Sequence, residues 1–296
     1  MINKIGDAML EKKIAFIGSG AMAEAMMSGL LRQNLAKPEN LYASDSRLDR
    51  VQELHEKYGI KPFTDNNQAV EHADVVVLSV KPQRLTEVLG SLKNAIPSGA
   101  VVLSIVAGAT IEKISKGLAH KAVVRSMPNT PAQIGEGITV WIASPAVSQA
   151  QKETASTILG AFGDEINVDD ENYLDMATAL SGTGPAYVFI FMEAMIDAGV
   201  HMGFSRRVSE QLVVQTLRGS VDYYQTINQK SSVHVAALKN QVTSPGGTTA
   251  EALYYLEKAG FRTAISRAIW AAYQRSLELG REKPVHIPES NNGSEK

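Results

Sequence analysis

Lys13–Ile17 (KIAFI) is a compact apolar run, and it ends in Gly18-Ser19-Gly20-Ala21-Met22-Ala23. Behind it, Met22, Ala25, Met26, Gly29 and Leu30 repeat at helical spacing through Ala21–Arg32. A G-x-G-x-x-A loop between a strand and a helix leaves few folds open. Gly18 permits the tight turn, and Gly20, lacking a Cβ, lets the backbone approach a pyrophosphate. Ala23 is small enough for close packing of helix on strand. The free N–H groups and positive end of the helix then face the phosphates.

The segments around this loop agree with it. Strand-like runs are read at Leu41–Ala43, Asp74–Val80, Ala100–Ser104, Lys121–Arg125, Ile138–Trp141 and Glu165–Val168. Asp74–Val80 (DVVVLSV) is almost wholly apolar, as a strand buried on both faces must be. Helical stretches at Leu48–Lys57, Gln83–Leu92 and Ile111–Leu118 separate them. This alternation predicts a parallel, doubly wound α/β sheet. Beyond residue 165 the pattern becomes helical: Tyr173–Leu180, Pro185–Met202, Arg206–Thr226, Thr249–Ala259 and Phe261–Leu279. The expected organisation is a dinucleotide-binding domain over 1–165, a helical domain over 166–283 and a polar tail over 284–296. Pro185–Met202 is apolar nearly all round, so burial against a second domain or a second subunit is expected.

Composition excludes several chemistries. The 296 residues contain no cysteine, which removes disulfides, thiol nucleophiles and cysteine-ligated metals. With 29 Lys and Arg against 31 Asp and Glu, there is no basic footprint for nucleic acid. No apolar run is expected to reach the roughly 18 residues of a membrane span. Met1–Lys13 lacks the pattern of a secretory leader. A soluble, cytoplasmic protein is the resulting expectation. The 6 histidines show no metal or triad spacing and are assigned no chemistry.

Further candidates lie at strand ends, where open α/β sheets bind ligands. Asp45 closes the second strand, about 20 residues beyond the loop, where a carboxylate takes the ribose 2′-OH of NAD. Arg47 and Arg50 follow it and offer the opposite choice, a bidentate grip on a 2′-phosphate; Asp45 as a helix cap is the plainer alternative. Val80, Lys81 and Pro82 follow another strand. Asn129 stands in the proline-fenced Ser126–Pro131 loop, held for a fixed polar contact. In the helical half, Val242–Thr249 (VTSPGGTT) sets four hydroxyls and two glycines ahead of a helix. Capping needs one hydroxyl. The surplus, with glycines admitting close approach, reads as an anion site suited to a carboxylate. Ser181–Pro185 (SGTGP) looks similar but links two helices, so backbone packing is expected there.

Taken together, FIGSGAMAEA (16–25), VVVLSVKP (75–82), VLSIVAGATI (102–111), RSMPNTP (125–131), LSGTGPAYVF (180–189) and LKNQVTSPGGTTAEAL (238–253) resemble the Δ1-pyrroline-5-carboxylate reductases. The resemblance runs from about residue 13 to 280, and its last segment is the most specific. It implies a Rossmann domain followed by an all-α dimerisation domain, in dimers that often assemble into decamers. It also implies reduction of a cyclic imine to L-proline by NADPH or NADH. By the same resemblance Gly18, Ser19, Gly20, Ala21 and Met22 cradle the pyrophosphate. Asn66 and Lys81 line the cofactor site, and Asn129 lies near the nicotinamide. Ser244, Gly246, Gly247, Thr248 and Thr249 hold the substrate carboxylate. Thr249 is the candidate to hydrogen-bond the ring nitrogen. Many members carry an uncharged residue near Asp45, so the choice between NADPH and NADH stays open.

Two alternatives remain at this level. One is a related Rossmann reductase acting on a hydroxy acid or another imine. Its usual catalytic lysine would stand on a helix of the second domain, and Pro185–Met202 and Arg206–Thr226 contain none. The other is a non-catalytic dinucleotide sensor, which would bind cofactor but oxidise none.

Overall fold

The computed structural model describes residues 9–280, so the expected tail at 284–296 lies outside the described residues. Two compact units are present: 9–178 together with 273–280, and Ala179–Ala272. The first opens with β1 (Ile14–Ile17), α1 (Ala21–Arg32), β2 (Leu41–Ser44), α2 (Leu48–Tyr58), β3 (Lys61–Phe63) and α3 (Asn66–Val70). It continues through β4 (Val75–Leu78), α4 (Leu85–Ser91), β5 (Val101–Ser104), α5 (Ile111–Leu118) and β6 (Val123–Met127). It closes with β7 (Gly137–Ala143), α6 (Gln149–Gly160), β8 (Gly163–Asn167) and α7 (Asn172–Ala177).

The eight strands form one sheet in the order β3-β2-β1-β4-β5-β6-β7-β8. Strand direction is shared from β3 across to β6. Here one expectation is corrected: β7 pairs antiparallel with β6, and β8 runs parallel to β7, so the last two strands are reversed. The cause is the short link between β6 and β7, which holds only a 3-10 turn, Thr130–Ile134. A parallel return needs a crossover of a dozen or more residues.

The period-2 alternation of the inner strands sorts the core into two layers. Ile14 and Phe16 of β1, with Val75 and Val77 of β4, face Met26, Met27 and Leu30 of α1 and Ile158 and Leu159 of α6. Ala15, Ile17, Val76 and Leu78 face the other way, onto Val70, Leu85, Leu89, Ile114 and Leu118. Each large side chain so buried contributes about 1.5–3 kcal/mol. Gly29 lets α1 seat tightly, since a Cβ there would stand 2.6 Å from the Ala161 carbonyl oxygen.

A buried polar cluster ties the outer part of this unit together. Arg125 of β6, with its side chain 4% exposed, donates to Glu171 (2.9 Å) and Asp175 (3.3 Å). Ser276 Oγ donates to the same Asp175 oxygen at 2.6 Å, and Glu171 also accepts the Ile111 N–H.

The expected domain boundary at 165/166 falls inside β8, and the two units part between Thr178 and Ala179. Helix α7 passes there into a π-helical segment, Thr178–Gly182, so the stretch expected as a helix over Tyr173–Leu180 is helical but changes its winding at Thr178. The second unit holds α8 (Gly184–His201), α9 (Arg206–Lys230), α10 (Val235–Gln241) and α11 (Thr248–Lys258). The first part of α12 (Phe261–Gly280) belongs to it as well. Pro185 occupies the first turn of α8, as expected. Gly199 of α8 meets Ser209 of α9 so closely that a Cβ would lie 2.6 Å from the Ser209 hydroxyl.

Much of the apolar surface of α8 is uncovered within the chain: Phe189 is 60% and Ile190 66% exposed. Burial inside one chain is therefore not how its apolar surface is satisfied. The expectation of no span-length apolar run is also corrected. Asn172–His201 is long and apolar enough to cross a membrane by length and composition. Its polar residues interrupt the run without lowering the average far enough. Length and hydropathy alone do not separate a spanning helix from one covered by another copy of the chain.

Candidate functional site

The glycine loop turns where β1 ends, and both flanking strands pin it. Gly18 N–H donates to the Ser44 carbonyl (2.8 Å), while Ser79 Oγ donates to the Gly18 carbonyl (2.7 Å). Gly18 adopts φ +91°, a conformation that disfavours a side chain, and a Cβ there would meet Val80 at 2.8 Å. Gly20 differs: a Cβ built on it meets nothing within 4 Å. It faces open space at the start of α1, whose N-cap is Gly20 itself and carries no side-chain cap. The first amides of α1 are thus left for a ligand.

That space is a cavity of about 750 Å³ along the ends of β2, β1 and β4. Of the predicted cofactor residues, Gly18, Ser19, Gly20, Ala21, Asp45, Arg47, Asn66, Val80 and Lys81 line it together. Met22, Pro82 and Asn129 do not. Met22 packs against the core instead. Pro82 starts a 3-10 turn, Pro82–Arg84, and is exposed. Asn129 Oδ1 accepts the Ile138 N–H at 3.0 Å, bracing the entry to β7. Glu24, Ser44, Ser46, Ser79, Arg84 and Val88 also line the cavity and were not singled out from sequence. Ser44 Oγ donates to Asn66 Oδ1 at 2.7 Å, which seats the amide at the start of α3. The cavity, the Gly20 opening and the uncapped helix end fit the pyrophosphate and ribose of a dinucleotide.

The ribose end holds opposed charges. Asp45 Oδ2 accepts the Ser19 N–H at 2.9 Å and Oδ1 accepts the Arg47 N–H at 3.1 Å. Arg50 donates through Nε to the Ser19 carbonyl (2.8 Å), through Nη1 to Glu53 (2.8 Å) and through Nη2 to Glu24 (2.5 Å). Lys57 Nζ (2.7 Å) and Tyr58 Oη (2.9 Å) complete the Glu24 contacts. Burial alone would raise the Glu24 carboxyl, but the hydrogen bonds from Lys57, Arg50 and Tyr58 outweigh it. They hold the group at about 2, against an ordinary 4.5. Burial would lower the Arg50 guanidinium, but its hydrogen bonds to Glu24 and Glu53 outweigh that and push it up.

The Val242–Thr249 loop lies in the second unit, between α10 and α11. Gly246 takes φ +70°, and a Cβ at Gly247 would stand 2.5 Å from the Ser244 hydroxyl. Gly247 N–H donates to the Ser244 carbonyl at 3.1 Å, folding the loop back on itself. Thr243 Oγ1 donates to the Lys239 carbonyl, an internal brace. Gly247 is the N-cap of α11 and supplies no side-chain oxygen. The plain capping alternative is therefore not realised, and Thr248 and Thr249 begin a helix whose first amides lack a side-chain cap. Two of the histidines serve packing: His120 Nε2 lies 2.9 Å from the Ala100 carbonyl and His55 Nδ1 2.8 Å from the Ile60 carbonyl.

Known proteins match this arrangement over nearly its whole length. A family model described as pyrroline-5-carboxylate reductase dimerisation matches residues 171–279. Another, NADP oxidoreductase coenzyme F420-dependent, matches 13–108. The pyrroline-5-carboxylate reductase of Synechocystis sp. is 38% identical over 91% of this chain and 99% of its own. That of Methanosarcina acetivorans is 37% identical over 93% and 100%. The crystal structure of Plasmodium falciparum pyrroline carboxylate reductase with NADP bound superposes with a TM-score of 0.84. It is 34% identical and covers 93% of this chain and 100% of that one. With a glycine-loop cavity, an uncapped Ser-Pro-Gly-Gly-Thr-Thr loop and relatives aligned over more than nine-tenths of its length, this chain belongs to the pyrroline-5-carboxylate reductase family.

Proposed function

We propose that this chain reduces the cyclic imine of 1-pyrroline-5-carboxylate to L-proline with NADPH or NADH. The observation that carries the reading is the Ser244–Gly247 turn, which delivers the free first amides of α11 to an anion while contributing no cap of its own. A five-membered imine bearing a carboxylate supplies that anion. When bound, the nicotinamide cofactor supplies the hydride.

The residues divide the remaining work. Gly18 and Ser19 shape the turn, their N–H groups held by the Ser44 carbonyl and Asp45, and the backbone N–H groups of Gly20, Ala21 and Met22 at the start of α1 hold the pyrophosphate. Asn66, Val80 and Lys81 flank the cofactor, Pro82 starts the turn that follows Lys81, and Asn129 keeps the Ser126–Pro131 loop in place beside the nicotinamide. Ser244, Gly246, Gly247, Thr248 and Thr249 fix the substrate carboxylate. Thr249 Oγ1 hydrogen-bonds the ring nitrogen and keeps its proton in place. A protonated imine is already an electrophile, so neither a nucleophile nor a metal ligand is required of the chain. Orientation of the ring supplies the main advantage, and in well-oriented reactions that reaches about 7–11 kcal/mol.

The dimerisation domain makes the working form a homo-oligomer. Association of such dimers into a decamer is part of this proposal. Thr249→Ala tests the mechanism. Turnover falls about a hundredfold, while cofactor affinity, measured separately by fluorescence titration, stays as in the wild type. Unchanged turnover in that variant contradicts the role.

A further inference from the structure

We propose that Asp45 makes this chain select NADH over NADPH; the inference rests on the dinucleotide reading of the cavity given above. The two cofactors differ at one position, the ribose 2′ oxygen. In NADH it is a hydroxyl that donates a hydrogen bond. In NADPH it carries a phosphate with up to two negative charges, which needs cations and free N–H groups.

Neither need is met at the end of β2. Asp45 stands there with both oxygens engaged by backbone N–H groups, Ser19 to one and Arg47 to the other. Its carboxylate is held in place as an acceptor for a ribose hydroxyl, and it occupies two N–H groups that a phosphate would otherwise take. A like charge set against a phosphate in a partly desolvated cavity is strongly disfavoured.

The cations are accounted for one by one. Arg50 lines the cavity with a largely sheltered guanidinium, its side chain 13% exposed. Its donors go to Glu24, Glu53 and the Ser19 carbonyl. Releasing it would leave the Glu24 carboxylate with one cation fewer. Lys81 and Arg84 line the cavity from the β4 side, with β1 between them and β2. Arg47 is left, and its side chain is 63% exposed and 3.7 Å from the Asp49 carboxylate. A screened surface cation of that kind contributes little against a carboxylate fixed by two hydrogen bonds.

The test titrates the protein with NADH and with NADPH, following nicotinamide fluorescence without any imine present. The wild type is expected to bind NADH about tenfold or more tightly than NADPH. Asp45→Asn keeps an oxygen for the Ser19 N–H and removes the charge, so it should shift the affinity ratio towards NADPH by about tenfold. A melting curve on the same sample shows that the variant is folded. Asp45→Ser, smaller and uncharged, should shift the ratio in the same direction. Tighter binding of NADPH by the wild type, or an unchanged ratio in both variants, overturns the proposal. Binding of neither nucleotide overturns it together with the dinucleotide reading. The expected ratio in a protein that oxidises no cofactor with pyrroline-5-carboxylate supports the Asp45 assignment and removes only the imine as substrate.

Discussion

Gly18 and Gly20 stand two residues apart, yet the physics asks opposite things of them. Gly18 has a positive φ and no room for a Cβ, so Gly18→Ala must strain the turn and move Val80 or the Ser79 carbonyl. A loss of about 1–3 kcal/mol in unfolding free energy is expected by urea denaturation. Gly20→Ala has room and an ordinary extended conformation, φ −71° and ψ −177°. Its melting temperature should match the wild type within error, while cofactor affinity drops about tenfold because the methyl enters the space of the pyrophosphate. Equal stability losses in the two variants would contradict this division. Glu24 gives a prediction in pH. Its folded pKa of about 2 lies below the ordinary 4.5, so the ionised form is the one the fold favours. The stabilisation is fully present above pH 4.5 and is lost as pH falls towards 2. Chemical denaturation of wild type and Glu24→Gln should therefore differ by on the order of 3 kcal/mol at pH 7. The gap should close as the pH approaches 2. A constant gap would place the effect of the substitution elsewhere. Sequence alone revealed the glycines, because φ and close approach act on a single residue. It left Asp45 between two readings, because the answer depends on Arg50 being occupied by Glu24, a residue of another helix.

Elements were legible where their signal is local. The apolar cores of β1, β4 and β5 and the helical spacing of α1 and α5 stand out in any short window. The reversed β7 and β8 did not, since strand direction is written in loop length and pairing rather than in side-chain pattern. Helix α6 was overlooked although its start is marked: Ser148 and Gln151 form a reciprocal capping box. Its weakly two-sided pattern, with buried Ala155, Ile158 and Leu159 among polar residues, obscured it. Strand β3 and helix α3 are too short for any periodicity to show. At this scale Arg125 offers a direct measurement. Arg125→Ala leaves Glu171 and Asp175 without their buried cation, and a loss of about 3–5 kcal/mol is expected by denaturant unfolding. A loss under 1 kcal/mol would mean that the cluster contributes little to joining β6, α7 and α12.

For the whole molecule, the informative observation is apolar surface left uncovered. Val188, Phe189 and Ile190 of α8 and Leu212 and Val214 of α9 are exposed in a single chain. A surface of that kind marks an interface, and the dimerisation family model spans the same helices. The extended apolar character of α8 was readable from sequence; which body covers it was not, because one chain's sequence does not contain its partner's position. Ile190→Asp would place a carboxylate in that interface at a cost of several kcal/mol. Sedimentation should then show monomer where the wild type sediments as a larger species, and an unchanged mass would remove α8 from the interface. The central claim concerns the reaction itself. The decisive measurement adds pyrroline-5-carboxylate to the protein with NADH, and in parallel with NADPH, following cofactor absorbance and the appearance of L-proline. The account predicts cofactor oxidation matched one for one by proline. Protein that binds the cofactor yet oxidises neither form in the presence of the imine would contradict it.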